Sequence, residues 1–444
     1  MYIMTKFEMF YRKWFGTYSL NYFTFLLFMV VSLPCISVGQ FASVTKIWDK
    51  APHNGFTDII YFNNRFLICL REGQDHASFD GKLRVISSID GNHWESVDLF
   101  VDTSGDLREA KFAVSPDDQL MLSGPVATDI RTKHQTKKWF SKDGILWSSP
   151  VNIGDKNNWL WRETVYNTIA YSIGYPTGYP NNDLRPPVKM YVSSDMVNYV
   201  VKIDSLVKGN ETTLRFFSND SAIALIRRDP QNALIGRSKS PFTEWKWYDC
   251  GYRLGGPNFI ILPNGRIFGG ARFYDGGREH TALFTIDKNT NQVKKYVELP
   301  SSGDNGYPGI VIVNDTVWIS YYSSHEGKAS IYLVKIGLDI VTDTAVPNFG
   351  PKTFNLFQNY PNPFNPKTRI TYSLPNNSTV RMTIYNPLGQ IVDEIEKGQQ
   401  YAGVNGFEWS TTSASGMYFY RLEAVSTNDP NARFVQTKKM ILIK

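Results

Sequence analysis

Charged and polar side chains interrupt a series of otherwise apolar, strand-like stretches along the chain, once or twice in each stretch. Burying an unpaired charge costs several kcal/mol, so strands that only packed against their neighbours would not need these residues. Carboxylates and imidazoles can exchange protons, and guanidinium groups can bind polar or anionic ligands. The set therefore predicts either a polar ligand site or a network of ion pairs that fills the centre of the fold. Its members are Asp58, Arg71–Glu72, Asp75–His76, Asp106, Arg108, Arg162–Glu163, Glu211, Arg227–Arg228, Arg272, Asp304, Tyr307 and His325–Glu326.

The elements that must position these residues are indicated by a short phrase that repeats at a near-constant pitch. The clearest copies are Ser88–Trp94 (SIDGNHW) and Ser141–Trp147 (SKDGILW), and weaker copies begin at Ser193, Ser238 and Thr285. The first residues of successive copies are 53, 52, 45 and 47 residues apart. This pitch, in a region of short alternating strands with Gly, Asn and Asp turns, predicts an all-β propeller with one four-stranded sheet per blade. A propeller collects the innermost strand of every blade around one centre.

The repeated phrase has a structural rather than a chemical explanation. Its aspartate can accept the backbone N–H bonds that close a turn, its glycine permits a positive φ, and its aromatic residue can pack beneath the hairpin. The phrase resembles the Asp-box of sialidase-like propellers, in a form one residue shorter than usual. Boxes of that family lie on the periphery of the propeller, so the resemblance implies no catalytic role for Asp90, Asp143 or Asp195.

Composition agrees with a large secreted β-protein. The 444 residues are 42% hydrophobic and 14% aromatic, which is enough for a substantial core and for more than one domain. The formal charge of +6 is spread along the chain, so nothing indicates nucleic-acid binding. No nucleotide-binding or common metal-site motif is present, and we expect no cofactor, although calcium needs no such motif and a structural calcium ion is left open. Cys69 and Cys250 lie in apolar or aromatic surroundings and do not make a disulfide framework.

Residues 1–39 have the pattern of a signal peptide. Three basic residues between positions 6 and 13 precede an apolar stretch at 23–34, and small or polar residues follow to position 40. A basic region, an apolar core and a cleavage zone in this order direct a chain to secretion. Two alternatives stay open: a transmembrane anchor, for which the apolar run is short, and a lipoprotein, for which Cys35 lacks the small residue expected just before it.

A second boundary lies near residue 340. Residues 341–353 are punctuated by Pro and Gly without a clear period, which predicts a linker between a propeller at 40–340 and a domain at 354–444. The alternating strands of the last segment predict a small antiparallel β-sandwich.

This sandwich also resembles the type A C-terminal sorting domain of the type IX secretion system of the Bacteroidetes. The motifs QNYPNPFNP, IYNPLGQ, GMYFYRL and the terminal KMILIK stand in the order of that family. The resemblance implies Sec export, outer-membrane passage with the secretion machinery as partner, and removal of the domain as the passenger is released or attached at the cell surface. An accessory carbohydrate-binding sandwich is the alternative. A propeller outside the cell has no access to ATP or nicotinamide pools, so extracellular glycans are the expected substrates or ligands.

Residues 50–337 resemble a bacterial family of six-bladed, sialidase-like propellers generally named exo-α-sialidases. The stretches that carry the resemblance are PHNGFTD (52–58), REGQDHASFDGKLRVISSIDG (71–91), GPNFIILPNGRIFGGAR (256–272), GDNGYPG (303–309) and SYYSSHEGKASIYL (320–333). Sialidases of this type clamp the substrate carboxylate with three arginines, whose planar guanidinium groups form bidentate bonds. A tyrosine activated by a glutamate attacks the anomeric carbon, and an aspartate serves as acid and base.

The resemblance assigns these roles to individual positions. Tyr307 stands at the position of the nucleophile and Glu211 at that of the activating glutamate. Asp75 is assigned as the acid. The second and third clamp arginines correspond to Arg227 or Arg228, and to Arg272.

The first clamp arginine is missing from its usual position. Phe56–Ile59 stands where the family has its F/Y-R-I-P signature. Either Arg71, Arg108 or Arg162 takes the place of that arginine in space, or the substrate is not a sialic acid.

Three functions remain for the propeller. The first is a secreted exo-glycosidase of sialidase type, or a relative acting on another acidic or branched glycan, with substrate contacts that include Asp58, His76, Glu163, Asp304 and His325. The second is a non-catalytic glycan-binding or adhesion propeller that kept the fold and lost the clamp. The third is a hydrolase or lyase that uses His76 and His325 as acid and base, because imidazole exchanges protons near neutral pH. We expect a monomer in each case.

Overall fold

The computed structural model describes residues 42–129, 133–179, 186–342, 353–400, 402–427, 429 and 431–444. The predicted signal peptide, residues 1–39, and residues 343–352 of the predicted linker lie outside these ranges. The described chain is almost entirely β-structure, with one short helix, α1, at Leu338–Thr342. Among the described residues, none lies in a helix that is both long and apolar enough to cross a membrane.

Residues 42–337 form six antiparallel sheets. Taken from the innermost strand outward, sheet 1 is β2 (His53–Phe62), β3 (Arg65–Gly73), β4 (Lys82–Ser88) and β5 (Glu95–Phe100), and sheet 2 is β6 (Asp106–Leu107) with β7 (Lys111–Val114), β8 (Leu120–Asp129), β9 (Lys133–Ser141) and β10 (Val151–Ile153). Sheet 3 is β11 (Asn158–Tyr166), β12 (Ile169–Pro176), β13 (Lys189–Ser193) and β14 (Val200–Ile203), and sheet 4 is β15 (Thr212–Phe216), β16 (Ser221–Ile226), β17 (Leu234–Lys239) and β18 (Lys246–Asp249). Sheet 5 is β19 (Leu254–Ile261), β20 (Ile267–Asp275), β21 (Arg278–Ile286) and β22 (Val293–Glu298), and sheet 6 is β23 (Asn305–Val313), β24 (Thr316–Ser323), β25 (Ser330–Gly337) and β1 (Ala42–Trp48).

The six sheets close into a ring. Their innermost strands contact one another in the order β2, β7, β11, β15, β19 and β23, and β23 returns to β2. The outermost strand of sheet 6 is β1, which pairs with β25 from Ala42 opposite Ile336 to Trp48 opposite Ile331. One sheet thus joins the first and last strands of the propeller, and the predicted six-bladed, all-β propeller is confirmed.

Alternating residues of the strands pack toward two different neighbouring blades. In β3, Phe66, Ile68 and Leu70 belong to one core cluster, whereas Leu67 and Cys69 belong to another. Successive side chains of a strand point to opposite faces of its sheet, so a strand covered on both faces must be apolar throughout. Each large aliphatic side chain buried in this way contributes about 1.5–3 kcal/mol.

The repeated phrase forms the turn between the third and fourth strands of its sheet. Asp90 Oδ1 accepts N–H bonds from the residues two and three positions further on, at 2.8 and 2.9 Å. Asp143 and Asp195 close the same turn, and Gly91 and Gly144 have φ values of 69° and 77°. The repeated phrase therefore closes a local turn at the outer side of the blades, as predicted.

The innermost strands are irregular at the points that supply the central side chains. The register between the first and second strands shifts in sheets 1, 3, 5 and 6, and in sheet 2 the inner strand is interrupted between β6 and β7. Such bulges bend a strand and redirect its side chains, and they are frequent beside active sites. The residues released from regular pairing are 56–57, 108–110, 161–162, 256–257 and 307–308.

Two further sheets follow in the C-terminal segment. The first is β26 (Asn355–Leu356), β27 (Lys367–Leu374) and β30 (Gly403–Ser410), and the second is β29 (Ile391–Gln400), β28 (Ser378–Tyr385), β31 (Gly416–Ser426) and β32 (Arg433–Leu442). One core cluster joins Ile370 and Trp409 of the first sheet to Met382, Tyr420 and Leu422 of the second. Two antiparallel sheets that share one core are the predicted sandwich. The domain bounds derived from the sequence stay predictions.

Candidate active site

Side chains from the irregular positions of the innermost strands converge on the ring of Tyr307. The ring centroid of Tyr307 lies 5.4 Å from that of Phe56 and 5.7 Å from that of Trp161. Lys111 Nζ lies 5.9 Å from the same ring, and Gly256 abuts it closely enough that an added Cβ would lie 2.4 Å from Tyr307 Cδ1. We call the following residues the central cluster: Phe56, Arg108, Glu109, Lys111, Trp161, Glu211, Arg227, Gly256, Arg272 and Tyr307.

A phenol and a carboxylate meet at the centre of this cluster. Tyr307 Oη donates a hydrogen bond of 2.8 Å to Glu211 Oε1, across 96 residues of sequence. Arg227 Nη1 lies 2.9 and 3.0 Å from the two oxygens of Glu211 and 3.0 Å from Tyr307 Oη. The N–H of Gly256 donates to Glu211 Oε2 at 2.7 Å. Tyr307 and Glu211 are each only 6% exposed, so the pair is held in a fixed and nearly dry arrangement.

The phenol of this pair is neutral. Burial raises the pKa of Tyr307 well above its ordinary value, the negative charge of Glu211 raises it further, and Arg227 acts in the opposite direction. A neutral phenol is a weak nucleophile, and it becomes a useful one when a base takes its proton as the new bond forms. Glu211 Oε1 lies within the distance at which a base can do this.

The backbone of the cluster adopts left-handed conformations that few residues other than glycine adopt. The φ angles are 50° at Tyr307, 58° at Phe56 and 54° at Gly256. Tyr307 follows the pair Asn305–Gly306, and Phe56 follows Asn54–Gly55. Such backbone strain persists where the surrounding structure enforces it, and it concentrates at functional sites. Phe56 of sheet 1 is thus the counterpart of Tyr307 of sheet 6.

Phe56 stands at the aromatic position of the F/Y-R-I-P signature, and the next residue, Thr57, replaces the first clamp arginine; both are completely buried. The ring centroid of Phe56 lies 5.2 Å from that of Tyr322 and 4.9 Å from that of His76. The guanidinium carbon of Arg108 lies 5.2 Å from the ring centroid of Phe56. Thr57 supplies no cation at this position, and among the three suggested substitutes it is Arg108 that lies over the ring of Phe56.

Carboxylates of the protein pair with the clamp arginines. Arg162 donates to both oxygens of Asp58 at 2.9 and 3.0 Å. Arg272 Nη2 lies 3.2 Å from Asp304 Oδ1 and donates to the hydroxyl of Tyr322 at 2.9 Å. Besides Glu211, Arg227 binds Asp229 through Nε, at 2.5 Å. These pairs offset the positive charge that a clamp would direct at a substrate carboxylate.

The remaining arginines of the predicted set are Arg71 and Arg228, which lie outside the central cluster, and Arg108, which belongs to it. Arg71 is completely buried, and its guanidinium group donates to Asp106 and to the carbonyls of Asp75 and Ser78. Arg108 donates to Asp106 Oδ2 at 3.0 Å and to the carbonyl of His76 at 2.9 Å. Arg71 thus supports the loop after β3, and its predicted contact with a substrate is disfavoured by this burial. Arg228 is partly exposed, with Gln231 Oε1 at 3.5 Å.

Asp304 contacts two histidines, and one of them, His53, is not among the predicted site residues. His53 Nε2 and His76 Nδ1 lie 2.8 and 2.7 Å from Asp304 Oδ2. Although burial acts to raise the pKa of Asp304, these two hydrogen bonds and the positive charge of Arg272 lower it far below its ordinary value. One ligand atom from each of His53, His76 and Asp304 lies within 4.8 Å of the other two. Among the described residues, this group could hold a cation. His53 Nδ1 has no hydrogen-bond partner in the described part of the chain, whereas a metal-bound histidine normally donates through its second nitrogen.

Glu163 does not join the central cluster. Its carboxylate binds Lys138 Nζ at 2.7 Å, Ser123 Oγ at 2.5 Å and the hydroxyl of Tyr199. The neighbouring Arg162 reaches Asp58 instead, because adjacent residues of a strand face opposite sides of their sheet. Glu163 therefore belongs to a buried network between blades, which accounts for its charge without a substrate.

The two histidines predicted as an acid and base have separate partners. His76 lies beside Asp304, whereas the ring of His325 packs on Tyr332 at 4.6 Å and lies 6.4 Å from that of Phe357. Burial lowers the pKa of His325 to about 4. These partners do not support a site built on both histidines.

Asp75, the predicted acid, is exposed on the loop after β3. Its Oδ1 accepts the N–H of His76 at 2.7 Å, and its own N–H donates to Ser78 Oγ at 3.2 Å. These bonds lie within the loop.

Two charged residues of the cluster were missed by sequence reasoning. Glu109 is 5% exposed, its Oε1 lies 3.6 Å from Arg108 Nη2, and its Oε2 has no hydrogen-bond partner among the described residues. Lys111 Nζ donates to the carbonyl of Thr57 at 3.2 Å and lies 5.1 Å from the ring of Trp161; burial lowers its pKa. The sequence signal for both residues is the charged run DLREAK at 106–111, of which the predicted set includes only Asp106 and Arg108.

The C-terminal sandwich matches a known family. Residues 358–441 match the secretion system C-terminal sorting domain. The match indicates export through the type IX system, to the cell surface or beyond it. No curated protein matches the chain by sequence.

Solved structures that are similar to this chain include the following three. A protein of unknown function from Dyadobacter fermentans is 15% identical over 67% of this chain and 99% of its own, with a TM-score of 0.58. A GH93 α-L-arabinofuranosidase of Fusarium graminearum, solved with arabinobiose, is 14% identical over 68% and 99%, with a TM-score of 0.53. Trypanosoma rangeli sialidase with the inhibitor DANA is 10% identical over 89% of each chain, with a TM-score of 0.52. The chain shares its propeller fold with these proteins. The predicted sialidase-like architecture is therefore confirmed as a fold.

Proposed function

We propose that this protein is an extracellular glycoside hydrolase in which Tyr307 is the nucleophile and Glu211 the base that activates it. The observation that carries the proposal is the hydrogen bond of 2.8 Å between Tyr307 Oη and Glu211 Oε1 at the centre of the propeller. The likeness of the fold to two kinds of glycosidase supports the reaction class. Export through a secretion system supports an extracellular glycan as the substrate, with residues 1–39 as the signal peptide for the first step of export.

The local chemistry fits a covalent mechanism. As Tyr307 Oη attacks the anomeric carbon, its proton passes to Glu211, so that a free phenolate never has to form in this buried site. Arg227 Nη1 lies 3.0 Å from Tyr307 Oη, where its charge stabilises the oxygen as it loses the proton. The strained φ of Tyr307 holds the nucleophile in place before the substrate binds.

We propose a neutral sugar rather than a sialic acid as the substrate. A sialic acid brings a carboxylate that needs uncommitted guanidinium groups. Here Arg162 and Arg272 are bound to Asp58 and Asp304, and Thr57 stands at the position of the first clamp arginine. A pentofuranose or neutral hexose requires none of these charges.

The same ion pairs favour a second candidate, a glycan-binding propeller without catalysis. A centre in which arginines and carboxylates neutralise one another can serve as a rigid scaffold. Turnover separates the two candidates.

The test is hydrolysis by the purified secreted protein of a panel of aryl glycosides that includes an α-L-arabinofuranoside and an α-sialoside. Tyr307→Phe is the test variant. Tyr321→Phe is its matched control, because Tyr321 is also buried and its hydroxyl donates a hydrogen bond to the carbonyl of Pro300. We expect turnover of a neutral glycoside that is lost in Tyr307→Phe and kept in Tyr321→Phe. Activity retained by Tyr307→Phe would refute the assigned nucleophile. If the wild type hydrolyses none of the glycosides in the panel, the binding function is favoured.

A further inference from the structure

We propose that Glu109 is the proton donor of the reaction, a role that the resemblance gives to Asp75. The inference rests on the proposed glycosidase function and adds the group that protonates the leaving oxygen. It is carried by the position and the bonding of Glu109 within the central cluster.

Glu109 lies in the interruption between β6 and β7. Regular pairing stops there, and the chain resumes its pairing with β8 at Lys111. The side chain of Glu109 is 5% exposed. The ionisable groups that act on its carboxyl group are Arg108, Glu211, Lys111 and His76. The break in the inner strand thus places a carboxyl group in the cluster: Arg108, 3.6 Å from Glu109 Oε1, lies 5.2 Å from the ring of Phe56, which packs against Tyr307 at 5.4 Å.

The bonding of Glu109 differs from that of the carboxylates around it. Glu211 accepts hydrogen bonds from Tyr307, Arg227 and Gly256, and Asp58 is chelated by Arg162. By contrast, Glu109 Oε2 is buried without a partner in the described ranges, and the closest guanidinium nitrogen stands 3.6 Å from Oε1. A buried polar atom without a partner is costly unless it has another use, such as a proton shared with a ligand.

The two glutamates differ in their hydrogen bonding. Tyr307, Arg227 and Gly256 donate to Glu211, and its contact with Tyr307 Oη is the one that a base needs. Burial raises the pKa of Glu109, the charge of Arg108 opposes this, and the negative charge of Glu211 adds to it. A buried carboxyl group that retains its proton can serve as the acid of a glycosidase beside a separate base.

The reaction then balances in two steps. In the first, Tyr307 Oη bonds to the anomeric carbon and gives its proton to Glu211, while the bond from that carbon to the leaving oxygen breaks and Glu109 protonates that oxygen. In the second, the Glu109 carboxylate takes a proton from water, and the water oxygen bonds to the anomeric carbon. The bond to Tyr307 breaks, and Glu211 returns the proton to the phenolate oxygen.

The experiment compares substrates that differ only in their need for a proton. Dinitrophenyl α-L-arabinofuranoside has a leaving group that departs without protonation, whereas arabinobiose requires it; the same kind of pair is used for any other sugar that the panel identifies. We expect Glu109→Gln to lose on the order of 10²–10⁴-fold in kcat/KM on the disaccharide and little on the activated glycoside. Added azide should restore turnover of the activated glycoside at the second step and yield a glycosyl azide. The decline of kcat/KM at high pH, where Glu109 deprotonates in the wild type, should disappear in the variant.

Asp75→Asn is the matched control and should leave the dependence on the leaving group unchanged. Equal losses on both substrates in Glu109→Gln, or the leaving-group effect in Asp75→Asn instead, would overturn the inference. Thermal unfolding of Glu109→Gln checks its folding, and Glu109→Asp provides a second variant with a shortened acid that should keep part of the high-pH limb. If Tyr307→Phe is inactive while Glu109→Gln behaves as wild type, only this inference fails. If the wild type hydrolyses nothing in the panel, the proposed function fails and the inference with it.

Discussion

Gly256→Ala should damage both stability and activity, because Gly256 meets two demands at once. Its φ of 54° is left-handed, and a Cβ there would lie 2.4, 2.7 and 2.8 Å from three ring atoms of Tyr307. The ring cannot retreat easily, since Phe56 and Trp161 pack against it at 5.4 and 5.7 Å. A left-handed residue with a Cβ costs about 1–2 kcal/mol, and overpacking adds about 1–3 kcal/mol.

The matched control is Gly276→Ala. Gly276 also has a positive φ, of 60°, but an added Cβ there meets nothing within 4 Å. It should therefore lose only the backbone contribution of about 1–2 kcal/mol. Urea unfolding measures both free energies. Because a displacement of about 1 Å can cost 10²-fold in rate, glycoside hydrolysis should fall by roughly that factor in Gly256→Ala alone. Equal stability losses with unchanged activity in both variants would refute the packing argument.

Three other outcomes are expected. Arg162→Met leaves Asp58 without its chelating partner and should lower the free energy of unfolding by about 3–5 kcal/mol; a loss below about 1 kcal/mol in urea unfolding would contradict a buried ion pair. Burial lowers the pKa of His325 to about 4, below the value of about 6.5 expected when unfolded, so its contribution to stability is complete above about pH 6.5 and is lost as the pH falls toward 4. Stability measured against pH should lose that slope in His325→Gln and keep it in His93→Gln, whose side chain is 92% exposed; an unchanged slope in His325→Gln would contradict this. Burial raises the pKa of the Cys69 thiol strongly, so peptide mapping should find it unalkylated by iodoacetamide in the native protein at about pH 8 and alkylated after unfolding; rapid native labelling would be inconsistent with its burial.

The features that the sequence predicts correctly are those that local chemistry or a family pattern determines. The turns at Asp90 and Asp143 follow from one short phrase, because a turn aspartate needs only the residues beside it. The pair Tyr307 and Glu211 spans 96 residues, and only a family resemblance could suggest it.

Other features depend on contacts that no period in the sequence reveals. Glu109 was missed because no pattern in the sequence marks the break between β6 and β7 in which it lies. Glu163 stays a predicted substrate contact, although its carboxylate binds Lys138 and Tyr199 in a buried network while its neighbour Arg162 binds Asp58. Arg162 and Asp58 pair across 104 residues of sequence. The sequence alone therefore could not show whether Arg162 binds a substrate or belongs to a network of ion pairs.

The most direct test of the central claim is to trap the covalent intermediate. A fluorinated glycosyl fluoride of the sugar that the protein hydrolyses slows the second step, and mass spectrometry of the digested protein then locates the attached sugar. The account predicts one fluorosugar on the peptide that contains Tyr307, and no label in Tyr307→Phe. A label on Glu211 would make that carboxylate the nucleophile, and an active protein that accumulates no covalent sugar would contradict the tyrosine mechanism.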